Sequence, residues 1–64
     1  MKQYLIAPEA AEMLRLSVGG LANLRYRGEG PPYIKRKRQI LYDLDDIRKY
    51  LEDRRVRTEV TEAD

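Results

Sequence analysis

The run Gly28-Glu29-Gly30-Pro31-Pro32 can neither prolong a helix nor occupy a central strand. Its glycines free the backbone, and its prolines fix φ and remove N–H donors. It divides the 64-residue chain into a helical first part and a second part that begins extended.

Upstream, Tyr4-Leu5-Ile6-Ala7 is a short apolar lead-in. Pro8 suits the opening of a helix, where its missing N–H has no partner to lose. Glu9 places a negative charge in the first turn, where the helix dipole favours it. Ala10, Ala11, Met13 and Leu14 then recur at helical spacing, which predicts a first helix over about 8–15. Ser17 is a strong N-cap. A second helix is expected from it to about Arg27, closed by Gly28 in a left-handed conformation. Val18, Leu21, Leu24 and Arg25 fall on one side of it; Gly19, Asn23 and Tyr26 fall on the other.

Downstream, Tyr33-Ile34-Lys35 reads as extended, Arg36-Lys37-Arg38 as a charged tip and Gln39-Ile40-Leu41-Tyr42 as a returning strand. Ile34 and Ile40 are expected to share the inward face. No glycine or asparagine marks the tip, which leaves the turn type open. Asp43 or Asp45 caps a third helix, and Asp46 adds charge near its start. Its stripe is Leu44, Ile47, Tyr50 and Leu51, and it ends near Arg54-Arg55. The fold class is mainly α with a small β-hairpin: a winged helix-turn-helix, ordered helix-helix-hairpin-helix, over residues 1–55. Residues 56–64 read as a flexible acidic tail.

Charge is segregated along this pattern. Residues 15–38 carry seven basic side chains against the single acid Glu29, whereas 39–64 carry five basic and eight acidic ones. A basic middle between acidic flanks is the footprint of a polyanion binder. With neither cysteine nor histidine, the chain lacks a disulfide, a thiolate or imidazole metal site and the usual general base. No nucleophile–base pair is visible, so neither an enzyme nor a cofactor is expected. No apolar run approaches the roughly 20 residues of a membrane span, and no signal-peptide core follows Met1-Lys2-Gln3-Tyr4. The expected location is the cytoplasm, with no membrane partner.

Double-stranded DNA is the expected partner. The second helix of a helix-turn-helix enters the major groove, where base edges distinguish all four base pairs. The candidate residues on and around it are Ser17, Gly19, Gly20, Asn23, Arg25, Tyr26 and Arg27. Asn23 has the chemistry to pair with adenine, and Tyr26 to donate to a phosphate. Gly19 and Gly20 allow close backbone approach of a phosphate to a helix N-terminus. Arg25 lies nearer the buried side and is expected on a phosphate or a carboxylate. The wing candidates are Lys35, Arg36, Lys37 and Arg38, which displace counterions from phosphates or enter a narrow minor groove. Of the tyrosines, Tyr26 alone is placed at nucleic acid; Tyr4, Tyr33, Tyr42 and Tyr50 are read as core-edge residues.

The ordered set Ala10-Ala11-Glu12-Met13-Leu14, Leu16-Ser17-Val18, Leu21, Leu24-Arg25, the run Gly28 to Lys35, Tyr42, Asp46-Ile47 and Tyr50-Leu51 resembles the excisionase-like helix-turn-helix proteins. These are relatives of the MerR DNA-binding domain. The resemblance covers about residues 4–55. The chain departs from the family's usual pattern at Val18-Gly19-Gly20 after the cap, at Leu24 where tryptophan is frequent, and at Lys37-Arg38 where the wing often has glycines. The resemblance implies a phage recombination directionality factor in a bacterial host cell. Such a protein binds an attachment site cooperatively, bends it and directs an integrase toward excision. Its implied partners are DNA, other copies of itself on DNA and a phage-type integrase. The charge segregation, independently of the resemblance, offers a head-to-tail pairing of copies, with carboxylates such as Asp53 or Glu52 near a neighbour's arginines. A small transcriptional regulator, or an antitoxin-like module that uses its wing on an acidic protein, are the alternatives.

Overall fold

A computed structural model of the protein describes residues 2–56. The elements run β1 (Tyr4–Ile6), α1 (Ala7–Leu14), α2 (Val18–Arg27), β2 (Ile34–Arg36), β3 (Gln39–Asp43) and α3 (Leu44–Asp53). Three helices and a small sheet give the winged helix-turn-helix expected from the sequence.

α1 starts on the Ile6 N–H, which donates to the Glu9 carboxylate at 3.0 Å. This is the reciprocal half of a capping box, made without a polar cap side chain. Arg15 ends α1 in the left-handed conformation, at φ 61°. Its N–H donates to the Glu12 carbonyl at 3.1 Å and that of Leu16 to the Ala11 carbonyl at 2.9 Å, the paired closure of a Schellman motif. α2 opens as the sequence implies: Ser17 Oγ accepts from the Gly20 N–H at 2.9 Å. It closes with Gly28 at φ 70°, the Gly28 and Glu29 N–H groups returning to Arg25 and Leu24. Two Schellman closures thus bracket the turn and the second helix, one on glycine and one on arginine.

The sheet corrects two expectations. The lead-in before α1 is a strand, so the hairpin is part of a three-stranded antiparallel sheet ordered β1-β3-β2. Leu5 lies opposite Tyr42, and both are buried. Secondly, the wing tip has two residues, Lys37 and Arg38, because Arg36 already pairs with Gln39. Ile34 therefore faces Leu41, and Lys35 faces Ile40. A one-residue change of register moves every side chain to the other face. Ile40 packs on the core, whereas Ile34 is on the opposite face and 44% exposed.

Leu5, Ala10, Ala11, Leu21, Tyr42 and Ile47 form the core, with Ala7, Leu14, Ile40 and Leu44 against it. Ala10 and Ala11 have no bulk beyond Cβ, so α1 packs closely on α2, α3 and the sheet. Val18 departs from its expected place on the core side: in the first turn of α2 it remains 49% exposed. Asp43, not Asp45, caps α3, accepting from the Asp45 N–H at 2.9 Å. Asp43 also accepts from Lys2 at 2.8 Å, while the Leu44 N–H donates to the Gln3 carbonyl at 2.9 Å. These bonds fasten the first residues to the start of α3. Among the described residues no helix is long and apolar enough to cross a membrane. Of the tail read at 56–64, Val56 is exposed and the remainder lies outside the described residues.

Candidate nucleic-acid interface

The exposed side of α2 carries Gly19, Asn23, Tyr26 and Arg27. Gly19 stands clear of the protein: a Cβ there would meet nothing within 4 Å. Gly20 is half-buried, and a Cβ would approach Ser17 Oγ at 3.2 Å. Its backbone donor is occupied by the Ser17 cap, which leaves the Gly19 end of the helix the more open to a ligand. Asn23 is exposed one turn beyond Gly19, and Tyr26 is 79% exposed one turn further. Arg27 pairs with Glu29 at 3.3 Å, both well solvated. An exposed pair of this kind is individually weak and is readily exchanged for a phosphate.

Arg25 leans inward and is half-buried. Its Nη1 donates to the Tyr42 hydroxyl at 3.3 Å. The guanidinium also lies 5.2 Å from the Tyr26 ring centroid and 5.8 Å from that of Tyr33, within cation–π range. Tyr33 in turn packs at a tilt on Tyr42, with centroids 6.3 Å apart. The hydrogen bond to Tyr42 raises the Arg25 pKa above its ordinary value, with burial opposing it. The partner of Arg25 is thus a neutral phenol rather than the carboxylate weighed from sequence. Tyr33, read as a core-edge residue, lines the same cleft as Tyr26.

That cleft joins Arg25 and Tyr26 of the helix candidates to the wing, while Ser17, Gly19, Gly20, Asn23 and Arg27 lie outside it. It has a volume of about 350 Å³ and lies between the end of α2 and the hairpin, lined by Arg25, Tyr26, Tyr33, Lys35, Lys37, Arg38 and Ile40. Arg36 lies on the neighbouring surface of the tip with Gln39. None of Lys35, Arg36, Lys37 and Arg38 forms an ion pair among the described residues. Lys37 holds the turn with φ at 57°, a left-handed conformation on a residue with a side chain. Ser17 is exposed but committed to its cap. On the acidic side, Asp53 pairs with Lys49 at 3.5 Å and Glu52 with Arg55 at 3.1 Å within α3 and its end.

The concentration of basic residues at helix end, strand and tip follows from their order in the sequence. The cleft itself does not, because it depends on Tyr33 and Tyr42 reaching Arg25 from the other half of the chain. A model of the helix-turn-helix domain family matches residues 4–55. No curated protein matches the chain.

Proposed function

The chain belongs to a helix-turn-helix DNA-binding family, and on that premise we propose that it is a sequence-specific double-stranded DNA-binding protein of the excisionase type. α2 enters the major groove by its Gly19–Asn23–Tyr26 side, while the wing lies along the neighbouring backbone. The observation that carries this reading is the cleft: the end of α2 and the unpaired cations of the wing line one concave surface.

The excisionase role rests on the resemblance in sequence and on size. One module of this kind covers only about 600–1,000 Å² on DNA, which limits what a single copy can specify. Bending a site costs on the order of 1–6 kcal/mol, which several copies on adjacent sites would share. The assembled protein–DNA complex then favours excision by a phage-type integrase.

Two experiments test the reading. If the surface touches about four to six phosphates, log affinity falls against log salt with a slope of about −4 to −5 per domain. A flat salt response on any duplex, with a protein partner retained at high salt, would instead indicate an interaction module. Gel-shift titration on one-site and multi-site duplexes, with a circular-permutation assay, then tests assembly. Cooperative filling with a bend is the expected result. Independent filling without a bend would leave a small transcriptional regulator.

A further inference from the structure

Arg25 is a half-buried cation with no carboxylate in ion-pair range among the described residues. A guanidinium carries five N–H donors in a fixed planar fork. One is directed to the Tyr42 hydroxyl, whose ring is wholly buried in the core. Tyr26 and Tyr33 bracket the group by their rings. Rings and phenol restrict where the guanidinium lies but supply no negative charge. Lys35, Lys37 and Arg38 line the same cleft, so a site bounded by four cations contains no neutralising acid. Such an arrangement is unfavourable when empty of anions and favourable around one.

We infer that the cleft between α2 and the wing is a seat for one DNA backbone phosphate, with Arg25 as its fixed ligand and Tyr42 as the residue that positions Arg25. The inference rests on the DNA-binding reading and deepens it. Arg25 sets the register of the helix on the backbone, while recognition of bases falls to the open side of α2. Tyr42 links this ligand to the centre of the core: β3 holds the phenol, and the phenol holds the guanidinium. Because arginine loses less freedom per bond when its fork is pre-oriented, the contact is worth more than that of a wing-tip lysine.

The test combines two variants with a modified ligand. The probe is a duplex selected by the wild-type protein, synthesised with a single neutral methylphosphonate at each backbone position in turn. Wild-type protein is expected to lose about tenfold in affinity at one phosphate, as for a charged hydrogen bond. Arg25→Gln should bind the unmodified duplex about tenfold more weakly, lower the salt slope by about 1 and no longer respond to that methylphosphonate. Tyr42→Phe keeps the buried ring and should lose about fivefold, with a diminished response at the same position. Thermal unfolding of each variant checks that the fold persists. If Arg25→Gln keeps the wild-type slope and the wild-type response to every methylphosphonate, the phosphate seat is overturned. So is it if Arg25→Gln changes base preference at an unaltered slope. Salt-dependent binding by the wild-type protein in either case leaves the DNA-binding reading standing. If the wild-type protein binds no duplex, both fall.

Discussion

Arg15 and Lys37 both hold left-handed backbone at positions where glycine is the usual occupant. A side chain there costs roughly 1–2 kcal/mol, offset in part by the greater entropy glycine loses on folding. Lys37→Gly is therefore expected to leave stability unchanged or raise it by up to about 1 kcal/mol, measured by urea unfolding. The same variant should weaken duplex binding and lower the salt slope by about 1 if Lys37 meets a phosphate. A variant that loses stability and keeps its slope would show the lysine to be structural. The Lys2–Asp43 pair offers a second measurement. The hydrogen bond from Lys2, then that from the Asp45 N–H, holds the Asp43 carboxyl below its ordinary range. A depressed carboxyl stabilises the fold above its unfolded-state pKa of about 3.9, and the contribution is lost as pH falls through the lower folded-state value. Lys2, bonded to Asp43, is raised, so its own contribution persists until strongly alkaline pH. Asp43→Asn retains a good N-cap but not the ion pair. It should unfold at lower temperature at neutral pH, with the difference from wild type narrowing in acid. An equal gap at all pH values would remove the ion pair from the account.

At the scale of elements, α2 depends on two ends and one buried contact. Ser17→Ala removes the acceptor for the Gly20 N–H and is expected to cost about 1 kcal/mol in denaturant unfolding. Leu21→Ala opens a cavity in the core and is expected to cost about 2–5 kcal/mol, most of what a domain of this size possesses. Function divides along the elements too. Asn23→Ala should erode preference for a selected site more than binding to scrambled DNA, whereas Arg36→Ala with Lys37→Ala should weaken both alike. Competition binding with the two duplexes separates these outcomes. What was legible beforehand follows the same division. The cap at Ser17, the stop at Gly28 and the exposed face of α2 are local, set by neighbours within a turn, and they stand where the sequence put them. β1 was not legible, because three residues become a strand only through a partner far along the chain. The register of the wing turned on whether its tip has two residues or three, and without a glycine nothing in the composition fixes that. Arg25 could be placed near the buried side from spacing alone, but its phenol is 17 positions away.

For the molecule as a whole, the decisive arrangement is that β3 is the central strand, with β1 on one side and the outer strand of the wing on the other. The inner strand of the wing is consequently rooted in the core through Tyr42. A chain lacking residues 2–5 would lose Leu5 from the core together with the bonds of Lys2 and Gln3 to the start of α3. Such a chain is expected to show no cooperative thermal transition and no salt-dependent DNA binding. A sharp transition near that of the full chain would show the sheet to be dispensable. The same arrangement imposes an order in time on a chain emerging from the ribosome. Lys2 and Asp43 are 41 positions apart, about 2 to 8 s of synthesis at ordinary elongation rates. Short helices form and melt within about a microsecond, so the helix-turn-helix can be sampled long before the strand that completes it exists. Through that interval β1 is an apolar edge awaiting its mate, and a length of three residues gives other chains little to pair with.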